Sequence, residues 1–314
     1  MRTDHYFDSC GAGKIHYCRW APEGAPKAIL QIVHGIGEYV ERYDAYAEFM
    51  ASQGFLVVAE DHMGHGGSVS EECVMGYFHG GWFAAVDDTC KLMQLTMAEN
   101  PGVPYILFGH SMGSFMARTI LAKYPDSGIS AAIICGTAWQ PTFAMPAMVA
   151  LMNAVCKRGN EQEPNEKLDK MIFGGYNGRV KGARTSKDWL TRDEAIVDRY
   201  VADDRCGFVA SSGLLRDMMV GIHYIQQPKN LANMKKGLPV LFTAGEADPV
   251  GNFGKGVRQA HAAFQKAGMV KTSIKLYPEC RHEILNELNR QEVYDDILHW
   301  LSKVTDLEVP KASP

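Results

Sequence analysis

Apolar residues along this chain fall into short, nearly unbroken runs that alternate with longer stretches in which they recur every three or four positions. The runs near 14 to 20, 28 to 33, 55 to 60, 105 to 109, 131 to 136, 238 to 244 and 273 to 277 read as strands. Stretches near 40 to 53, 80 to 99, 112 to 124, 253 to 268 and 290 to 303 have helical spacing. Strand–helix alternation predicts a mainly parallel sheet covered on both faces, with ligands bound beyond the strands' carboxyl ends. The alternation stops between about Ala138 and Ile225, where the chain becomes helical and loop-like around Gly174-Gly175-Tyr176-Asn177-Gly178. That segment is expected to overhang the sheet as a cap. The chain then divides into a core of residues 1–137 and 226–314 and an insertion of residues 138–225.

The most informative stretch is Gly109-His110-Ser111-Met112-Gly113, where the apolar strand Tyr105-Ile106-Leu107-Phe108 meets a helix. This is the G-x-S-x-G pattern in its strand–turn–helix setting, which lifts the serine hydroxyl clear of the sheet. The flanking glycines are expected to permit the tight turn. The helix that starts there offers free N–H groups and a positive dipole end to a developing oxyanion.

The pattern is only suggestive alone, but the remaining chemistry follows in order. The strand at 238 to 244 runs into Gly245-Glu246-Ala247-Asp248-Pro249-Val250, placing an acid just past a strand end. The strand Ser273-Ile274-Lys275-Leu276-Tyr277 leads to a loop with Arg281-His282-Glu283. Ser111, Asp248 and His282 thus appear in the Ser…Asp…His order of α/β-hydrolases. Glu246 is the nearest competitor for the acid. Upstream, the strand at 28 to 33 ends in His34-Gly35-Ile36-Gly37-Glu38, a loop placed to give a second oxyanion donor.

Together HGIGE (34 to 38), DHMGHGGS (61 to 68), GHSMG (109 to 113), AGEADPVGNFGKGV (244 to 257) and YPECRHEILNE (277 to 287) carry a family resemblance. The chain resembles bacterial monoacylglycerol lipase or lysophospholipase-like α/β-hydrolases, the group also labelled serine aminopeptidase S33-like. The likeness continues through FGGYN (173 to 177) and DWLTRDEAIVDRYVADDRCGF (188 to 208). It implies an α/β-hydrolase fold, with a mainly parallel eight-stranded sheet, helices on both faces and a helical cap inserted after the sixth strand. It also implies backbone oxyanion donors at Ile36 and Met112. Met63, Asp204-Arg205 and Glu279-Cys280 depart from the family pattern, the last two where they bear on the entrance or pocket.

Other residues invite a chemical reading and a plainer one. Asp61, His62 and His65 resemble a metal set, but the intervening glycines and the matching family loop favour structural hydrogen bonding, and no metal or organic cofactor is assigned. His34, His110 and Glu38 are expected to hold loop shape. In the cap, Phe143, Met145, Met148, Leu151 and Met152 recur at roughly helical spacing and suit an acyl-chain groove; the plainer alternative is that they pack the cap onto the core. Cys280 either lines the pocket or is a passive buried thiol.

Composition narrows the classes. With 314 residues, 46% of them apolar, the chain can bury one large core. The net charge of −4, with neither basic stripe nor acidic tail, argues against nucleic acid and for neutral acyl-ester or lipid substrates. Eight scattered cysteines without C-x-x-C or zinc spacing read as free thiols in a reducing cytosol. Met1 to Cys10 lacks a secretory pattern, and the expected location is cytoplasmic. The apolar window Pro141 to Val155 is too short to span a bilayer and is a candidate lid helix, through which transient contact with a membrane surface is expected. The polar stretch 309 to 314 reads as a frayed tail.

Three functions fit these features. The first is hydrolysis of carboxylic esters of monoacylglycerol or lysophospholipid type through an acyl-enzyme on Ser111. The second is an S33-type aminopeptidase or amidase. Its need for acids to hold an α-amine meets Glu161, Glu163, Asp188, Asp193 and Glu194 in the cap, but these alternate with Lys157, Lys167, Arg184, Lys187 and Arg192 like an ordinary solvated face. The third is a non-catalytic ligand-binding protein on the same fold, for which an intact Ser, His and Asp would be superfluous.

Overall fold

A computed structural model describes residues 2–156 and 159–305. The polar stretch 309 to 314 lies outside them. Eight strands form one sheet: β1 (Arg2–Asp8), β2 (Lys14–Trp20), β3 (Ala28–Val33), β4 (Phe55–Glu60), β5 (Tyr105–His110), β6 (Ile129–Cys135), β7 (Val240–Gly245) and β8 (Thr272–Tyr277). Their order is β1-β2-β4-β3-β5-β6-β7-β8, parallel from β4 onward and antiparallel at β1–β2 and β2–β4. This is the α/β-hydrolase architecture. Seven strands lie where the apolar runs place them. The eighth, β1, is a polar edge strand with one buried residue, Phe7, and so carries no apolar run to detect.

Helices cover both faces because the buried strands alternate their side chains between two cores. On β3, Ile29 and Val33 join one cluster while Ala28, Leu30 and Ile32 join the other; on β5, Tyr105 and Leu107 oppose Ile106 and Phe108. The first core is closed by α2 (Gly81–Glu99) and α3 (Met112–Lys123), the second by α1 (Asp44–Ser52) and the C-terminal helix Arg290–Val304.

Between β6 and β7 the chain forms α4 (Met145–Cys156), α5 (Glu166–Phe173), α6 (Glu194–Ala202), α7 (Ser212–Ile225) and α8 (Pro228–Asn233). Side-chain caps start three of them. Asn165 accepts Leu168 N–H at 3.1 Å, Asp193 accepts Ala195 N–H at 3.1 Å and Ser211 accepts Leu214 N–H at 3.0 Å. Helix α7 packs on α2, α3 and α4, and its Leu214, Leu215 and Ile222 belong to the first core. After β7, α9 (Lys255–Lys266) and α10 (Arg290–Val304) complete the layers.

Candidate active site

Ser111 sits between β5 and α3 with φ 53° and ψ −121°, a left-handed conformation that costs a β-carbon-bearing residue on the order of 1–3 kcal/mol. The turn is held by Ser111 N–H to Cys135 O at 3.0 Å and by the Ser114 hydroxyl to Ser111 O at 2.5 Å. The serine itself, not its glycine neighbours, takes the positive φ. The glycines are required by close approach: a Cβ on Gly113 would lie 2.0 Å from Val33 O, and one on Gly109 would lie 2.4 Å from Gly113 O. The glycines thus admit the tight turn by avoiding Cβ clashes, as expected from the sequence, while the positive φ falls on the serine.

His282, in the loop after β8, places Nδ1 3.0 Å from Asp248 Oδ2, and both residues are buried. The other Asp248 oxygen accepts Val250 N–H at 2.8 Å, which fixes the carboxylate. Glu246 is exposed and faces Arg258 at 3.5 Å, away from the imidazole. Ser111, 9% exposed, and His282 line one cavity of about 890 Å³ including its mouth. Ile36 and Met112 line it as well, and among the described residues neither of their amide N–H groups has an acceptor.

A buried polar cluster braces the floor. Glu38 Oε1 accepts Gly35 N–H at 2.6 Å and the Tyr43 hydroxyl at 2.9 Å, and lies 3.1 Å from His110 Nδ1. Burial opposes its charge, but the His110 hydrogen bond and the charges of His110 and Arg42 hold its carboxyl well below the usual range. The other His110 nitrogen faces His282 O at 3.3 Å, and the two rings lie 4.7 Å apart. Burial would lower the His110 pKa, yet the Glu38 hydrogen bond and charge outweigh it and raise it, which suits a ring with acceptors at both nitrogens.

The loop histidines serve structure. His34 Nε2 accepts His62 N–H at 3.0 Å, His62 Nε2 faces His34 O at 3.1 Å, and His65 Nδ1 faces Met63 O at 2.9 Å. Burial pushes the His34 pKa down to about 3, so the ring stays neutral. Cys280 is fully buried, donates to Asn289 Oδ1 at 3.1 Å and is pushed up to about 11 by burial. It stands outside the cavity wall.

The acyl-groove expectation for α4 needs correction. Phe143, Met145, Met148, Leu151 and Met152 do not line the cavity. Met145 and Met152 turn inward against the first core, while Phe143, Met148 and Leu151 are 90%, 39% and 56% exposed. Helical spacing shows that a stripe exists but not which neighbour it meets. The apolar wall comes instead from Ile172 and Phe173 near the end of α5, from Met218, Met219 and Ile222 on α7, and from Phe208. Trp189 was also not singled out in the sequence. Its ring lies 5.2 Å from the His282 ring, and its backbone O accepts His282 N–H at 3.4 Å.

Comparison with known proteins agrees with this geometry. Residues 24–289 match the family described as serine aminopeptidase, S33. The chain is 26% identical over 301 residues to a monoacylglycerol lipase of Mycolicibacterium smegmatis, covering 96% of this chain and 97% of that one. It is 28% identical over 303 residues to human monoglyceride lipase, covering 93% and 88%. The crystal structure of a thermostable carboxyl esterase from Bacillus coagulans in complex with glycerol superposes with a TM-score of 0.86 at 26% identity, covering 96% and 98%. With that match across most of its length, and with the fold described above, the chain belongs to the serine aminopeptidase S33 family of α/β-hydrolases.

Proposed function

We propose that the chain hydrolyses monoacylglycerol-type carboxylic esters through an acyl-enzyme on Ser111. His282 takes the Ser111 proton as the oxygen attacks the acyl carbonyl, while Asp248 holds the Nδ1–H tautomer and stabilises the imidazolium. The N–H groups of Ile36 and Met112 receive the oxyanion. The imidazolium then protonates the departing alcohol, water enters, and His282 serves again as base to release the carboxylic acid.

The observation that carries this reading is the wall beside Ser111, which is largely apolar, as an acyl chain requires. Two carboxylates on that wall, Glu38 and Glu283, are already bound by Arg42. Relatives named as lipases and an esterase along nearly the full length support the same class. We read residues 138–225 as a cap over a core of residues 1–137 and 226–314. Its α4 face, without a charged residue from 141 to 156, is the surface we assign to transient lipid contact. Among the described residues no helix is long and apolar enough to cross a membrane. Eight free cysteines support a reducing cytosol as the location.

An aminopeptidase reading rests on Asp169, a wall carboxylate whose hydrogen-bond partner is the Ala210 N–H at 3.3 Å. On this reading Asp169 would pair with a substrate α-amine in competition with Lys187 on the same wall. Parallel assays with a monoacylglycerol series, lysophosphatidylcholine, p-nitrophenyl butyrate and proline p-nitroanilide separate the two. Monoacylglycerol turnover with inert anilide is the expected result; preferred cleavage of the anilide would replace the ester reading.

A further inference from the structure

A second cluster of chemistry-bearing side chains lies on the N-terminal hairpin, apart from the cavity. In the β1–β2 ladder Asp4 pairs with Cys18 and Tyr6 with His16, so Asp4, His16 and Cys18 share one face of the sheet. Asp4 Oδ1 lies 3.0 Å from His16 Nε2 and 3.3 Å from Cys18 Sγ, and the last two atoms are 3.9 Å apart. A tetrahedral zinc with ordinary Zn–N, Zn–O and Zn–S bonds needs ligand atoms about 3.2–3.6 Å apart. The present spacing brackets that range without backbone movement.

The surroundings match what such a site requires. His16 Nδ1 lies 2.8 Å from Asp61 Oδ2, so that carboxylate orients the ring through Nδ1–H, while Nε2, now hydrogen-bonded to Asp4 Oδ1 at 3.0 Å, is the nitrogen that would exchange its proton for a metal. Cys18 and His16 are buried, whereas Asp4 is exposed and gives an entry path. Arg2 is the nearest competing cation, yet it is held by Asp44 at 3.1 Å and Glu41 at 3.5 Å and reaches Asp4 only at 3.9 Å.

We propose that Asp4, His16 and Cys18 bind a zinc-like divalent cation, with Asp61 orienting the histidine. On binding, the Cys18 S–H proton and the His16 Nε2–H proton pass to solvent, and sulfur–metal and nitrogen–metal bonds replace them. Carboxylate, imidazole and thiolate supply three ligands and leave the fourth position to water. Asp61 also accepts Val40 N–H at 2.8 Å and Gly67 N–H at 2.7 Å, so the metal would clip the edge hairpin to the loop that follows β4.

The test uses full-length protein stripped with a chelator and titrated separately with Zn²⁺, Co²⁺ and Mg²⁺. Zinc should raise Tm where magnesium, which demands oxygen ligands, does not. Cobalt should give a near-ultraviolet thiolate charge-transfer band at one equivalent. Cys18→Ser should abolish that band while leaving metal-free ester hydrolysis unchanged. Asp4→Asn, at an exposed position with little bearing on folding, should weaken cobalt binding by about tenfold or more. Absence of the band in the unmodified protein would overturn the proposal. So would a band and affinity that survive both substitutions, because the metal would then sit elsewhere.

Discussion

Arg42 and Glu283 meet fork to fork, with Nη1–Oε1 and Nη2–Oε2 both at 2.6 Å, and so tie the segment after β3 to the residue following His282. Arg42 also reaches Glu38 Oε2 at 2.8 Å and lies over the Tyr200 ring at 4.7 Å. The loop after β3 and the loop that carries His282 are therefore positioned by one buried guanidinium. Glu283→Gln leaves that charge with Glu38 alone. It should cost about 3–5 kcal/mol in denaturant unfolding and lower kcat more than it raises KM. A loss of stability with kcat unchanged would show that the bridge only holds the fold.

Replacement of Ser111 by Ala should remove ester hydrolysis and fluorophosphonate labelling while circular dichroism stays native. Retained turnover would end the acyl-enzyme reading.

The acid is tested by contrast. Asp248→Asn should favour the wrong His282 tautomer and lower kcat on the order of 10⁴-fold, by analogy with serine proteases. Glu246→Gln, at an exposed residue facing Arg258, should change kcat less than about twofold. The reverse pattern would move the role to Glu246.

Chain-length preference should follow α7 rather than α4. Met219→Asp places a charge in the apolar wall and should reduce kcat/KM for long-chain monoacylglycerols by roughly 10² or more, with much smaller losses on p-nitrophenyl butyrate. Met148→Asp should leave dissolved short esters unaffected and weaken turnover of substrate presented in vesicles. Equal effects of both substitutions on all substrates would reject this division of the cap.

Glu60 predicts a pH dependence. It is buried between Gln31 Nε2 at 3.0 Å and Thr89 Oγ1 at 2.5 Å, and burial pushes its pKa from 4.5 to about 7. The folded state therefore holds a proton that the unfolded chain releases earlier. Stability from this residue is full below about pH 4.5 and declines toward pH 7, by about 3 kcal/mol, then levels. Denaturant titrations between those pH values should show that slope, and Glu60→Gln should flatten it. An unchanged slope would assign the titration to another group.

Much of this was legible in the sequence because local pattern carried it. The buried parallel strands announce themselves as apolar runs, and the elbow, the acid and the histidine each sit at a strand end. What stayed hidden depended on contacts between distant segments. The edge strand β1 has no apolar signature. The stripe on α4 has helical period, but period cannot say that Met145 and Met152 face the core while Phe143 faces outward. The cavity wall joins α5 and α7, and the Trp189 ring reaches His282 from 93 residues away, counting 282 − 189. The Asp4, His16 and Cys18 cluster has no C-x-x-C-like spacing because its side chains come from two facing strands.

The order of elements in the chain also sets a schedule for biosynthesis. Ser111 precedes the inserted helices, whereas Asp248 and His282 follow them. The histidine leaves the ribosome 282 − 111 = 171 residues after the serine, roughly 10–30 s later at ordinary elongation rates. For the part of that interval between completion of β6 at Cys135 and synthesis of β7 from Val240, β6, apolar and destined for the interior, is the outer edge of an unfinished sheet. The nascent chain thus carries an unpaired, sticky edge and no working hydrolase. Chaperone demand and premature aggregation should therefore be greatest while residues 136 to 240 are being translated.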